Sequence, residues 1–343
     1  MRNPWRPETF QGGKRKSGYF EGWYFKHSGG PGKGVWSFIP GISLGGKAPA
    51  AYSFVQAIEG ATGRSWWFQY PAEEFSASET GLDIRVGPNR FSAGGVELDL
   101  SDGESRIKGS FRYGPFSRME FPFWRPGVMG PFTFVPRMEC NHGLVSMDHR
   151  VDGGIDIDGR SLTIRDGRGY IEKDWGRSMP EAWIWTQSND FAAAGDSAML
   201  SVARIPWLGS AFRGFLCVVA LGGEKRLFAT YNGSRIEKLS VTDGAVECRI
   251  VRHAGRDSEE SVDISVSRSR GGILRAPVSG LLTRRISEAV DARMEVAFSG
   301  SGAGSSGAGS SGAGAGGLRR REPYRASSPC AGLEVAGDTA LLL

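Results

Sequence analysis

The chain has 343 residues, of which 40% are hydrophobic, 11% aromatic and 23% charged. This supplies a substantial core and excludes general disorder, and the length suits two domains or one large β assembly. The net charge of +5, from 42 basic against 37 acidic residues, is too small and too dispersed for a nucleic-acid partner.

Apolar residues alternate at period 2 from end to end, and no long stretch holds period 3.6. Strands are therefore predicted over 19–26, 35–42, 51–59, 64–70, 106–113 and 144–150. Further strands are predicted over 170–174, 182–189, 198–205, 212–221, 225–231, 246–252, 261–268 and 293–298. Asp158-Gly159, Asp166-Gly167, Gly222-Gly223, Asn232-Gly233 and Asp243-Gly244 mark turns between them. Only 283–292 reads as a short helix. Many short strands with regular turns point to an all-β sandwich or barrel.

Two segments break the rhythm. Residues 121–136 (FPFWRPGVMGPFTFVP) are rich in Pro and aromatics; they form either a packed connection between halves or an apolar rim beside a mouth. Residues 299–317 contain only Ser, Gly and Ala and read as a flexible hairpin-loop insertion without function. Lys14-Arg15-Lys16 and Arg319-Arg320-Arg321 are solvated loop charge or contacts for anionic lipid headgroups.

No apolar run approaches the ~18 residues of a spanning helix, and Met1–Pro7 has no apolar signal region. The four cysteines, Cys140, Cys217, Cys248 and Cys330, lack CxxC spacing and disulfide density. The expectation is an intracellular protein, cytoplasmic or peripherally membrane-associated.

Common catalytic motifs are absent: no GxxxxGK[ST], HExxH, GxSxG or helix-opening GxGxxG occurs. A zinc reading would use Cys140, His142 and His149, but C-x-H-x6-H matches no common ligand set. No metal is expected.

Three aromatic blocks carry the information. In Tyr19–Lys26 one strand face bears Tyr19, Glu21, Trp23 and Phe25. In Tyr170–Trp175 one face bears Tyr170, Glu172 and Asp174, the other Ile171, Lys173 and Trp175. In Trp183–Asn189 one face bears Trp183, Trp185, Gln187 and Asn189. Each block alone reads as ordinary core with satisfied polar groups. Together they place carboxylates and amides among large rings, which suits a cavity for an apolar aromatic ligand.

FEGWYFK at 20–26, HGLVSMDH at 142–149 and GYIEKDWGRSMPEAWIWTQSNDF at 169–191 resemble the tocopherol cyclase family. Shorter stretches at 201–206, 228–231 and 331–335 are also similar to its bacterial-type members. The resemblance spans nearly the whole chain except the Ser/Gly/Ala tract. It implies two lipocalin-like antiparallel β-barrel or sandwich halves with few short helices, here 1–168 and 169–343, as in the related carotenoid hydratase group. It also implies cofactor-free closure of a chromanol ring in a prenylated hydroquinone, an intramolecular lyase reaction. A proton adds to a trisubstituted alkene and the phenol oxygen traps the tertiary cation.

Such chemistry needs a neutral proton donor, aromatic faces for the cation and an acceptor for the phenolic proton. The candidate catalytic residues are Asp174, Glu21, Glu172 and Tyr170. Glu21 qualifies through desolvation among rings, and Asp174 with Glu172 through carboxylate crowding. Asp174 has an alternative reading, an ion pair that holds the halves together. The candidate substrate-binding residues are Trp23, Tyr19, Trp183, Trp185, Gln187, Asn189 and His142. The expected partner is an isoprenoid quinol lipid, collected at a membrane or lipid droplet. Addition of water to the alkene, and carriage of the quinol without chemistry, stand as alternatives.

Overall fold

The computed structural model describes residues 3–13, 17–30, 32–45, 51–135, 138–207, 209–253, 258–300 and 322–343. The first half of the chain gives β1 (Tyr19–Ser28), β2 (Val35–Leu44), β3 (Tyr52–Glu59), β4 (Ser65–Pro71), β5 (Phe75–Ala77) and β6 (Asp83–Val86). It continues with β7 (Asn89–Ser92), β8 (Gly95–Ser101), β9 (Arg106–Tyr113), β10 (Cys140–Ile157) and β11 (Arg160–Gly176). These form one antiparallel sheet of 11 strands, in the order β4-β3-β2-β1-β11-β10-β9-β8-β7-β6-β5. Its edge strands follow one another through a short 3₁₀ turn at Ala72–Glu74, so the sheet curls into a nearly closed barrel.

The second half gives β12 (Trp183–Ser188), β13 (Ser197–Trp207), β14 (Ser210–Leu221), β15 (Glu224–Ala229) and β16 (Ser234–Val241). It ends with β17 (Ala245–His253), β18 (Glu259–Ser267), β19 (Gly272–Val278), β20 (Leu281–Ser299) and β21 (Tyr324–Ala336). Their order is β15-β14-β13-β12-β21-β20-β18-β17-β16, with β19 paired to β20. The fold is all-β, as expected. Among the described residues the other helical pieces are 3₁₀ turns at Gly130–Phe134 and Thr339–Leu341, and no helix is long and apolar enough to cross a membrane.

Period 2 explains how two sheets make three cores. On β1, Trp23 and Phe25 point into the first barrel with Trp36, Phe38 and Ile171, while Tyr24 points outward. The second sheet wraps its own core of Ile184, Leu200, Cys217, Ile264 and Phe298. Where the two sheets meet, Tyr24, Tyr170, Trp183, Trp185, Met199 and Ile286 form a third core. Strands β1 and β12 are therefore buried on both faces. Each fully buried large apolar side chain there contributes about 1.5–3 kcal/mol over an exposed one.

The chain passes from one sheet to the other between Gly176 and Trp183, so position 168/169 lies inside β11. The helix expected at 283–292 is instead the middle of β20. There Ile286 and Val290 face the third core while Ala289 and Ala292 face the second sheet's own core. Pairing with β18, β19 and β21 overrides the local helix preference.

Residues 121–135, between β9 and β10 of the first sheet, lean against the second; Pro136 lies outside the described residues. Val128 is buried and its carbonyl accepts from the Tyr231 hydroxyl at 2.7 Å. Gly130 has φ +52°, and a Cβ there would meet the Tyr231 ring at 2.5 Å, so only glycine fits. Residues 301–321 lie outside the described residues, with most of the Ser/Gly/Ala tract; they connect antiparallel neighbours, since Phe298 pairs with Tyr324. Lys14, Arg15, Lys16 and Arg319–Arg321 also lie outside. The four cysteines are free.

Candidate active site between the sheets

A cavity of about 180 Å³ lies where the sheets meet. The first sheet contributes Phe20, Gly22, Tyr24, Ile39, His142, Glu172 and Asp174; the second contributes Trp183, Trp185, Phe215, Ile286 and Glu334. Met129 and Phe132 of the β9–β10 segment also line it. That segment thus serves as an apolar rim. The wall is mostly aromatic and aliphatic, with a few carboxyl groups set into it.

The first polar group is a row across three strands. His142 on β10 and Gly22 on β1 both flank Asp174 on β11. His142 Nδ1 is 3.0 Å from Asp174 Oδ1, and its Nε2 faces Glu172 Oε2 at 3.5 Å, which is too long for a good hydrogen bond. Glu172 Oε2 accepts from the Tyr170 hydroxyl at 2.5 Å and from Trp185 Nε1 at 3.2 Å. Burial alone would push His142 down, but the Glu172 and Asp174 carboxylates beside it raise it to about 9. Burial pushes Glu172 up to about 7, against the pull of the His142 cation and the Tyr170 and Trp185 hydrogen bonds; Asp174 adds to the rise. The triad sets a histidine that holds its proton beside a Glu172 carboxyl whose proton exchanges near neutrality.

The second polar group comes from the other sheet. Glu288 and Glu334 are direct cross-strand partners on β20 and β21. Trp183 Nε1 donates to Glu334 Oε2 at 2.6 Å. The Tyr24 hydroxyl, reaching across from β1, donates to Glu288 Oε1 at 2.6 Å and accepts from Ser37 Oγ at 2.8 Å.

Among the described residues, His142, Glu172 and Asp174 are also the group whose possible ligand atoms lie within 4.8 Å of one another. The two imidazole nitrogens turn to two different carboxylates, and Glu172 already accepts two hydrogen bonds. That is an ion-paired acid–base arrangement. His149, the other histidine of the zinc reading, sits apart, against Tyr113, Phe116 and Ser146.

Residues 129–225 match the family model described as tocopherol cyclase-like. The chain carries a tocopherol cyclase-like domain. The matched range runs from the rim residue Met129 through the triad strands to β15. Over the whole chain the fold is similar to the crystal structure of CghA, with a TM-score of 0.58, 11% identity and coverage of 98% of this chain and 94% of that one. The CghA structure with Sch210972 gives a TM-score of 0.55 at 11% identity, over 93% and 89%. Kievitone hydratase from Nectria haematococca gives 0.48 at 8% identity, over 92% and 89%. At these identities the CghA likeness speaks for the fold.

Of the residues singled out from the sequence, the domain gathers His142, Glu172, Asp174, Trp183 and Trp185 at the cavity, with Tyr170 bonded behind Glu172. Glu21, Tyr19 and Trp23 lie on the opposite face of β1, in the end of the first barrel. There Glu21 pairs with Lys173 and accepts from the Tyr19 hydroxyl at 2.5 Å and from the Gln11 N–H at 2.8 Å. It is a paired carboxylate away from the cavity. Gln187 and Asn189 are also turned to internal duties: Lys26 Nζ reaches Gln187 Oε1 at 3.4 Å, and Asn189 Nδ2 donates to Asp148 at 3.1 Å and to the Gly169 carbonyl at 2.8 Å. Sequence reasoning missed Tyr24, Glu288 and Glu334. Glu334 stands in a stretch that carried the resemblance. Glu288 falls between Ile286 and Val290, a carboxylate on an apolar face, but the helix reading of 283–292 hid it.

Proposed function

We propose that this cavity closes an oxygen ring in a prenylated aromatic quinol, in the manner of a tocopherol cyclase. One observation carries the reading: buried Glu172, with His142 beside it, opens onto an apolar, aromatic-lined cavity within the range that matches the tocopherol cyclase-like model. The isoprenoid chain lies against the aliphatic wall and the quinol ring near the polar groups. Glu172, the triad member that keeps its proton up to about pH 7, gives that proton to the alkene. Donation leaves a carboxylate facing His142, so the new charge forms beside a cation and costs little. Asp174 holds the imidazole through Nδ1. The faces of Trp183 and Trp185 stabilise the tertiary cation by about 0.5–2 kcal/mol each. The phenol oxygen then attacks, its O–H proton is lost to a base on the cavity wall, and the C–O bond closes the ring. No atoms are gained or lost.

The quinol is drawn from a lipid surface, and the rim formed by residues 121–135 is the contact.

The test is anaerobic incubation of the purified protein with a prenylated hydroquinone, read by mass. Ring closure gives a new chromatographic peak of unchanged mass, hydration gives a peak heavier by one water, and carriage returns the original peak alone; either of the last two outcomes rejects the reading. Glu172→Gln should lower turnover by a hundredfold or more, the range of one general acid, while the protein still binds the quinol.

A further inference from the structure

We propose that Glu288 and Glu334 hold one proton between them and that Glu334 takes up the phenolic proton as the ring closes. The inference rests on the cyclisation reading above and supplies its missing half, the proton acceptor. Four observations support it.

Burial comes first. Glu288 is fully buried and Glu334, directly opposite it in register, opens onto the cavity. Side chains so paired across antiparallel strands stand about 4.5–5.5 Å apart at Cβ, so two ionised carboxylates would repel strongly. Second, neither glutamate has an ion-pair partner among the described residues; Lys26 and Asp174 act on the pair only at longer range, with opposite signs. Third, the donors are too few. Tyr24 serves one oxygen of Glu288 and Trp183 one oxygen of Glu334. Glu288 Oε2 is buried and, among the described residues, receives no hydrogen from an N–H or O–H. The Glu334 carboxyl lies beside the Glu288 carboxyl and can supply it a hydrogen only when one of the two is protonated. Fourth, burial and mutual repulsion raise Glu288 well above the ordinary carboxylate range, and burial raises Glu334 to about 7.

The direction of transfer follows from charge. With one proton shared, the pair carries a single negative charge in an apolar setting. Losing that proton would leave two uncompensated buried carboxylates, whereas gaining a second would leave none. The pair is therefore an acceptor. The His142 triad is the reverse: its imidazolium compensates the carboxylate that donation creates. The two groups lie on opposite walls, one in each sheet. In the balanced step the proton leaves Glu172 for the alkene carbon, the phenol oxygen bonds to the cation, and the O–H proton passes to Glu334 as the shared proton moves fully onto Glu288. Water entering the emptied cavity returns one proton from the pair to Glu172.

Infrared titration tests the shared proton without any substrate. Above the range where Glu172 titrates, wild-type protein should keep the carbonyl stretch of a protonated carboxylic acid. The band should survive in Glu172→Gln and vanish in Glu288→Gln/Glu334→Gln. A wild-type spectrum with every carboxyl ionised there overturns the proposal. Ring-closure kinetics test the acceptor. Glu334→Gln should lower kcat by a hundredfold or more with KM little changed, and Glu334→Asp should recover part of it. Unchanged kcat in Glu334→Gln overturns the acceptor role. If no prenylated quinol is cyclised but the band behaves as expected, the cyclisation reading and the acceptor role fall while the shared proton stands.

Discussion

Glu21 and Glu172 are both buried carboxylates on strand faces rich in aromatics, and their neighbours decide what each can do. Lys173 is fully buried against Glu21 and lies over the rings of Trp23 at 4.5 Å and Trp175 at 4.9 Å. Removing one partner of a buried pair leaves an uncompensated charge, which costs about 3–5 kcal/mol. Lys173→Met should therefore lower the unfolding free energy by roughly that amount in a urea titration; a change near zero would mean that the Lys173–Glu21 pair does not hold this end of the barrel. His142 makes the contrasting case, a cation held by two carboxylates. Its value is raised from 6.5 to about 9, so the folded state binds its proton more tightly than the unfolded state does. The stability it contributes is complete below pH 6.5 and is lost as pH rises through about 9. Thermal unfolding of wild type should weaken over that window, and His142→Gln should flatten the alkaline slope. An identical slope in the two proteins would show that His142 is not the titrating group.

At the scale of elements, strand β21 sets the position of Trp185. Glu334 is the register partner of Trp185, and Gly332 lies beneath the indole. A Cβ at Gly332 would sit 2.7 Å from the ring. Gly332→Ala must push the indole off its place, at the roughly 1–3 kcal/mol typical of overpacking, and so lengthen the Trp185–Glu172 hydrogen bond. Turnover should fall by about tenfold, in line with one hydrogen bond to a charged group, and the pH dependence of turnover should move up with Glu172. A variant with normal turnover and an unmoved profile would remove Trp185 from the acid's support. The faces of such strands were legible beforehand, because period 2 alone separates Tyr170, Glu172 and Asp174 from Ile171, Lys173 and Trp175. Which face meets the cavity was not legible. On β1 the aromatic-rich face with Glu21 turned out to fill the barrel, and the face with Tyr24 meets the second sheet. That choice depends on how the two sheets stack, a contact between residues as distant as Tyr24 and Glu288. The β20 strand was hidden because pairing with β18, β19 and β21 overrides its local helix preference.

Across the whole molecule, the rim joins the cavity to an exposed aromatic surface. Phe132 lines the cavity and meets Trp207 and Phe212. On the outside of the same segment, Phe123 and Trp124 are each 81% exposed, and Trp5 stacks on Phe123 at 5.7 Å. Large rings left in water beside the mouth of an apolar cavity suit a protein that takes its ligand from a lipid interface. Partial insertion of two such rings recovers some of the ~1.5–3 kcal/mol that full burial of each would give. Phe123→Ser/Trp124→Ser should therefore weaken binding to lipid vesicles by at least about tenfold, since 1.4 kcal/mol corresponds to that factor. Both side chains are exposed, so unfolding free energy should change by no more than about 0.5 kcal/mol each, and turnover of a detergent-solubilised quinol should be unchanged. Vesicle co-sedimentation at low and high salt separates the two contributions. The aromatic part persists at high salt, whereas any attraction of basic residues to anionic lipid is screened. Wild-type and double-variant proteins that bind vesicles equally would place the lipid contact somewhere other than this rim.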